Sequence, residues 1–104
     1  MNWTIVREWL KDKGHIGDHW ERLDVTEDSI YAEDLFENTF ISIFTRGKNE
    51  LILYVGCLQP KISVGGATGY RISTCWDVID FLEDNLEDMY DELTKKFVEA
   101  YENV

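Results

Sequence analysis

Residues 74–104 decide the fold and read TCWDVIDFLEDNLEDMYDELTKKFVEAYENV. The stretch contains no glycine and no proline. Its apolar residues recur at intervals of three and four, the spacing of one helix face: Ile79, Leu82, Leu86, Met89, Leu93 and Phe97. At about 100° per residue these side chains fall within a sector of roughly 80°. The spacing predicts one continuous helix over residues 75–101, packed by this apolar stripe on a hairpin at residues 39–57.

The ends of this stretch carry the signals of a helix start and a helix end. Thr74 is a good N-cap, and Asp77, three residues later, can accept a hydrogen bond from the backbone N–H of the cap. Lys95 and Lys96 lie nearer the negative end of the helix dipole. The sequence therefore predicts where the helix begins as well as which face it buries.

The face opposite the stripe is acidic. Eight acids and no base lie between residues 77 and 92. Like charges at this spacing repel, at a few tenths of a kcal/mol for each close pair. Sixteen helical residues span about 24 Å, so the carboxylates follow one another every ~3 Å, close to the ~3.4 Å between phosphates of a nucleic-acid strand. This density favours a partner-binding surface over the alternative of an ordinary solvated face.

The composition predicts one domain over residues 1–104. With 44% hydrophobic residues, the chain can build a core without metal or disulfide bonds. The net charge is −11, and a second acidic segment, residues 23–45, has six acids and no base. Such a chain should repel nucleic acid and anionic membranes and attract basic surfaces.

The rest of the chain predicts a helix followed by strands. Asn2 can cap a first helix that Gly14 ends. Alternation predicts a strand at residues 23–25, and residues 30–36 fit a strand or, at 32–35, a helical turn. The strongest pair is a hairpin, residues 39–45 and 50–57.

Beyond the hairpin, two short strands are expected at residues 61–64 and 70–73, around a glycine-rich loop at 65–69. The hairpin should have one core face of Ile41, Ile43, Leu51, Leu53 and Val55. The overall expectation is a two-layer α+β domain: an N-terminal helix, an antiparallel sheet of four to six strands and a long acidic C-terminal helix.

No residue pattern predicts catalysis, a cofactor or a metal site. His15 and His19 have the spacing of a helical metal pair, but glycines flank them, and Cys57 and Cys75 match no zinc pattern. The acids do not follow the EF-hand spacing. Cys75, next to a helix start, is the one candidate nucleophile, yet no base accompanies it at a recognisable spacing. We therefore expect a protein that is not an enzyme.

The sequence also indicates a cellular compartment and residues that could contact a partner. No signal-peptide core and no membrane-length apolar run is present, so we expect a cytoplasmic protein with Cys57 and Cys75 as free thiols. The glycine-rich loop lacks the lysine of a phosphate-binding loop and is expected to be a mobile connection or a contact loop. Any of the four tryptophans left exposed would be a candidate interface anchor.

In size, charge and layout the chain resembles the acidic nucleic-acid mimics that phages use against restriction or CRISPR nucleases, and the acidic immunity proteins of nuclease toxins. That resemblance implies an inhibitor or adaptor, monomeric or homodimeric, that docks on a basic, nucleic-acid-binding protein. The alternative is a structural or assembly protein that uses an apolar surface, with its acids serving solubility. The predicted partner-binding residues are Asp77, Asp80, Glu83, Asp84, Glu87, Asp88 and Asp91 in the helix, and Asp24, Glu27, Asp28, Glu33 and Asp34 before it.

Overall fold

The computed structural model describes residues 2–16, 20–46, 50–68 and 72–102. The elements follow the order α1 (Trp3–Asp12), β1 (Arg22–Val25), β2 (Ser29–Asp34), β3 (Thr39–Arg46), β4 (Glu50–Cys57), β5 (Ile62–Ala67) and α2 (Cys75–Glu102). All neighbouring strands are antiparallel, and their order in the sheet is the order of the chain. The predicted α+β class, with an N-terminal helix, an antiparallel sheet and a long C-terminal helix, is confirmed.

Both predicted helix starts have the expected caps. The side chain of Asn2 accepts a hydrogen bond from the Thr4 N–H at 3.1 Å and begins α1. Gly14 has a φ of 77°, a left-handed conformation that suits glycine, and its N–H donates to the Lys11 carbonyl just beyond the end of α1. Residues 30–34 belong to β2, so the strand interpretation of that segment is confirmed and the helical alternative is wrong.

The core lies between the sheet and the two helices. The predicted core face of the hairpin is confirmed, because Ile41, Ile43, Leu51, Leu53 and Val55 are all fully buried. The register places Ile41 opposite Val55 and Ile43 opposite Leu53, so these side chains form one continuous apolar layer. α2 contacts β4, β5 and α1, and α1 also contacts β2.

α2 is anchored through the predicted stripe, with two differences. Ile79, Leu82, Leu86 and Leu93 are buried, and Met89 and Phe97 pack against the core at its edge. Val78 and Phe81 are buried as well, so the apolar face is wider over the first turns than the stripe predicted.

The prediction that this stripe packs on the 39–57 hairpin is only partly right. α2 lies on β4 of that hairpin and on β5, which pairs with β4. The reason is that β5 is longer than the sequence predicted and extends the sheet under the helix.

The glycine-rich loop is the main error of the sequence-based prediction. β5 continues through Gly65 and Gly66, which pair with Tyr54 and Leu53. A side chain at residue 65 would place its Cβ 2.2 Å from the Tyr54 ring, because that ring lies across the glycine on the neighbouring strand. The absence of a side chain thus makes room for an aromatic ring. The second predicted strand is also wrong where it can be judged: Ile72 and Ser73 are not in a strand, and residues 69–71 lie outside the described part.

The sheet face away from the core is covered mainly by its own aromatic rings. Phe44 and Tyr54 stack with ring centroids 6.2 Å apart, and Tyr31 and Phe40 lie 6.3 Å apart. The Arg22 guanidinium lies 5.2 Å from the centre of the Tyr31 ring, a cation–π contact. Tyr54 remains 40% exposed, whereas its two neighbours along β4, Leu53 and Val55, are fully buried.

Replacing Leu86 by alanine should lower the free energy of unfolding by about 2–5 kcal/mol, because it removes a leucine that is 1% exposed from the centre of the α2 interface. Chemical denaturation measures the loss. The control is Asp88→Ala on the exposed side of the same helix, expected to change stability by less than about 0.5 kcal/mol. A Leu86→Ala loss as small as that of the control would show that the stripe is not core.

The two ring-covered glycines should differ in their sensitivity to substitution. A Cβ on Gly56 would lie 2.5 Å from the Ile62 carbonyl oxygen as well as 2.4 Å from the Phe40 ring, whereas a Cβ on Gly65 would meet mainly the Tyr54 ring. A ring can turn away more easily than a strand can move, so Gly56→Ala should be the more destabilising change, by about 1–3 kcal/mol. Equal effects in thermal or chemical unfolding would contradict this explanation.

Candidate partner-binding surface

The solvent face of α2 forms an acidic ridge, defined here as Asp80, Glu83, Asp84, Glu87, Asp88, Asp91 and Glu92. All seven side chains are exposed. Four of them, at positions 80, 84, 87 and 91, lie along one narrow line of the helix surface, because their spacing of three and four keeps them within roughly 60°. The structure therefore brings together the helical residues predicted from the sequence, except for Asp77.

Asp77 serves the start of the helix. Its Oδ2 accepts hydrogen bonds from the N–H groups of Ser73 and Thr74, each at 3.0 Å, while Thr74 Oγ1 accepts from the Asp77 N–H at 3.3 Å. The predicted capping arrangement is present. These backbone hydrogen bonds hold the pKa of Asp77 below its usual range, because they stabilise the carboxylate form. We therefore assign Asp77 to the cap and not to the ridge.

The ridge contains no internal cation. Within the described residues, the ion pairs join Arg7 to Glu8, Arg22 to Asp24 and Arg46 to Glu50, all outside α2. Asp80 and Asp84, like Glu87 and Asp91, are therefore like-charged neighbours one helical turn apart. Lys13 of α1's C-terminal end lines a cleft with Glu83, Glu87 and Asp91 but forms no ion pair with them among the described residues, so water, salt or a cationic partner would relieve most of the repulsion.

The second acidic segment does not extend this ridge. Asp24 is paired with Arg22 at 2.8 Å, and Glu33 accepts a hydrogen bond from the Tyr31 hydroxyl. Both carboxylates lie on the aromatic sheet face, away from the helices, because they alternate with core residues along β1 and β2. Glu27 and Asp28 are exposed in the turn between these strands.

Asp34 departs most from its predicted role. It is fully buried, and its Oδ1 accepts a hydrogen bond from the Glu37 N–H at 3.0 Å. A carboxylate in this position shapes the turn between β2 and β3 and is not accessible to a partner. Alternation along β2 could have revealed this, since Asp34 lies on the same side of the strand as the buried residues Ile30 and Ala32.

Trp76 stands at the N-terminal end of the ridge with 61% of its surface exposed. Trp3 is buried, while Trp9 and Trp20 pack against the core. Trp76 precedes Asp80 by four residues and Glu83 by seven, so the three side chains lie along the same part of the helix surface. An exposed tryptophan beside a row of carboxylates combines an apolar anchor with charge.

A cleft of about 560 Å³ borders the ridge on the side of α1. Its aromatic wall is a stack in which His15 lies between Trp9 and Tyr90, with ring centroids 6.3 Å and 5.5 Å apart. Burial lowers the pKa of His15, against the opposing effect of the nearby Glu87 carboxylate, and burial raises the pKa of Tyr90 to about 12. Both rings are therefore neutral near pH 7, and the only negative charge of this cleft comes from the ridge. Sequence reasoning missed this stack, which joins residues from separate elements.

Cys57, Cys75 and His15, the described thiols and histidine, show no arrangement typical of catalysis or metal binding. Cys57 and Cys75 are buried free thiols, and burial raises the pKa of Cys57. Among the residues that the structure describes, no group of three or more His, Cys, Asp or Glu side chains could hold a metal ion. His19, half of the spacing considered for a metal pair, lies outside the described residues.

Comparisons with protein families, with curated proteins and with solved structures find no match to this chain. Over the described residues, neither helix is long and apolar enough to cross a membrane. Any functional conclusion therefore rests on the chemistry of the surfaces.

The capping carboxylate generates a pH-dependent prediction. Because the pKa of Asp77 is lower in the folded chain than in the unfolded chain, its stabilising contribution is present above the unfolded pKa, about 3.9, and is lost as the pH falls through the folded value. Asp77→Asn should therefore unfold at lower denaturant concentration than the wild type at pH 7, and the difference should shrink toward pH 3. Asp84→Asn, on the ridge, should show no such loss at pH 7. A constant difference for Asp77→Asn at both pH values would contradict the charge-based cap.

Proposed function

We propose that this chain is a non-enzymatic, cytoplasmic binding protein that docks its acidic ridge on the basic, nucleic-acid-binding surface of a partner protein. The observation that carries the proposal is the row of seven exposed carboxylates on α2, with no cation in ion-pair contact among the described residues. The partner's arginine and lysine side chains would supply the missing positive charge.

The geometry of the ridge supports a nucleic-acid-like recognition. The seven carboxylates occupy residues 80–92, about 20 Å of helix, so one follows another every ~3 Å. The phosphates of a nucleic-acid strand follow one another every ~3.4 Å. A surface that binds successive phosphates with arginine and lysine meets a similar density of negative charge here. The expected mechanism is competition for that surface, as in the acidic inhibitors of nucleases that the chain resembles.

A merely solvated face explains the ridge less well. Acidic faces that serve solubility usually alternate with bases, and the resulting ion pairs stabilise the helix. Among the described residues the ridge has no such ion pairs, and its carboxylates one helical turn apart repel one another. Trp76 adds a second argument, because a side chain 61% exposed at the end of the ridge contributes nothing to solubility. Buried in an interface, a tryptophan is among the strongest contributors to affinity.

Charge reversal on the ridge should abolish binding to the natural partner. Changing Asp80, Asp84 and Glu87 to lysine removes three negative charges and adds three positive charges on one line of the helix, a net change of +6. The loss should exceed about 100-fold, since even two close charge pairs at about 1.5 kcal/mol each amount to about 3 kcal/mol. Partner capture from the source cell followed by titration calorimetry measures the affinity. Wild-type affinity should also fall steeply with salt, since exposed charges are screened within about 8–10 Å near physiological ionic strength.

The matched control has the same total charge change in another place. Glu8, Glu99 and Glu102 are exposed, lie outside the ridge and can be changed to lysine together. This variant should keep most of the affinity, because only its long-range attraction is reduced. Equal losses for the two triple variants would show that net charge alone acts, and an affinity indifferent to salt and to ridge reversal would leave the apolar-interface alternative.

A further inference from the structure

One end of the molecule carries apolar side chains that the fold does not use. Phe36 is 89% exposed and Leu35 62% exposed in the turn between β2 and β3, and Tyr101 is 63% exposed near the end of α2. Tyr101 lines a cleft together with Gln59 and Pro60 of the turn between β4 and β5. Its ring lies 4.7 Å from that of Phe97, centroid to centroid, in a tilted arrangement. Exposed aromatic residues gathered at one end are typical of an interface.

The turn that presents Phe36 is held by other residues. Asp34 accepts a hydrogen bond from the Glu37 N–H, as the first residue of a tight turn commonly does. The Leu35 N–H donates to the Glu21 carboxylate at 2.7 Å. Phe36 is therefore displayed on a turn whose conformation does not require an aromatic residue.

Asn38 fixes the other side of the same turn. It has a φ of 59°, which asparagine tolerates better than most residues. Its side-chain amide donates to the Gln59 carbonyl at 2.7 Å and accepts from the Gln59 N–H at 2.9 Å. The β2–β3 turn, which carries Phe36, is thus hydrogen-bonded to the β4–β5 turn at the same end of the sheet.

An apolar cleft, termed the hole, lies beside the turn that carries Phe36, whose side chain is termed the knob. The cleft has a volume of about 350 Å³ and lies between the β2–β3 turn and the second half of α2. Its helix side is formed by Tyr90, Leu93 and Phe97, and its turn side by Glu37, Asn38 and Thr39. Phe36 does not fill the cleft of its own chain, since it is almost wholly exposed. A knob and a hole on one surface are what a two-fold contact needs, because each copy can then give its knob to the hole of the other.

The distribution of charge also favours this end for contact between copies. With a net charge of −11, two chains repel each other over most of their surface. Of the described residues that line the cleft, Glu37 alone is charged, whereas the ridge carries seven exposed carboxylates. Approach of a second copy is therefore opposed less at the cleft than at the ridge.

We propose that this end is a self-association surface, at which Phe36 of each chain enters the cleft beside Leu93 and Phe97 of a second copy in a two-fold symmetric dimer. A stable interface buries about 800 Å² on each partner, about one-eighth of the 6486 Å² surface of this chain. The net charge opposes contact between copies, so we expect weak association, with a dissociation constant on the order of micromolar. The ridge of each copy stays accessible, so the dimer presents two.

Analytical ultracentrifugation from about 5 µM to 1 mM tests the proposal. The wild type should shift from the monomer mass of 12.2 kDa to a dimer, and salt should strengthen association by screening the repulsion. Phe36→Ser should weaken association at least tenfold. Val25→Ser, which changes an exposed apolar residue of β1 at the opposite end of the sheet, should leave association unchanged. A wild type that stays monomeric at 1 mM, or a dimer indifferent to Phe36→Ser, would overturn the proposal.

A mixing experiment tests the exchange of knob and hole. Thr94 is exposed at the rim of the cleft, so Thr94→Arg should block the hole and leave Phe36 intact. Each variant alone should associate at least tenfold more weakly than the wild type, because neither homodimer has a working knob–hole pair. A mixture of Phe36→Ser and Thr94→Arg chains should form heterodimers, weaker than the wild type, because one of the two contacts is restored. A mixture that stays monomeric while the wild type dimerises would show that Phe36 does not enter this cleft.

Discussion

The packing of α2 on β4, β5 and α1 is the interaction on which the other features depend. Leu82 and Leu86 are essentially unexposed, and each buried leucine contributes about 1.5–3 kcal/mol. Each close pair of ridge carboxylates opposes the helix by only a few tenths of a kcal/mol. The apolar stripe therefore outweighs the repulsion, fixes the rotation of the helix and turns the acids toward solvent. A face of like charges can persist because the opposite face is buried so completely.

Much of this arrangement follows from local sequence signals, because the signals agree with the tertiary fold. The stripe, the Thr74–Asp77 cap and the alternation in β3 and β4 each specify a structure that the neighbouring elements also require. β5 was not predictable in this way. Gly65 and Gly66 are turn signals by local preference, and only the Tyr54 ring lying across Gly65 from the next strand makes glycine suitable within a strand. The burial of Asp34 follows the alternation along β2, a pattern that outweighs the preference of a carboxylate for solvent at this position. The exposure of Phe36 and the stack around His15 depend on how separate elements meet.

α2 carries two kinds of surface. Residues 80–92 present the ridge carboxylates with Trp76 at their N-terminal end, and Leu93 and Phe97, directly after the ridge, border the cleft. Salt should weaken contacts made by the acidic ridge, because it screens their attraction to a basic partner. Salt should strengthen contacts made at the cleft, because it screens the repulsion between two copies. One helix can thus serve a charged partner and a second copy at the same time. The two surfaces lie next to each other along the helix, because Glu92 ends the ridge and Leu93 lines the cleft.

Under the proposed function, the acidic ridge occupies the site where a partner protein holds nucleic acid. A competition titration tests this occupancy: the captured partner is saturated with a labelled nucleic acid that it binds, and this chain is added while fluorescence anisotropy follows the label. The label should be released in full, and raising the nucleic-acid concentration should raise the amount of chain needed in proportion. A ternary complex, in which the chain binds while the label stays bound, would contradict recognition through a nucleic-acid-like ridge.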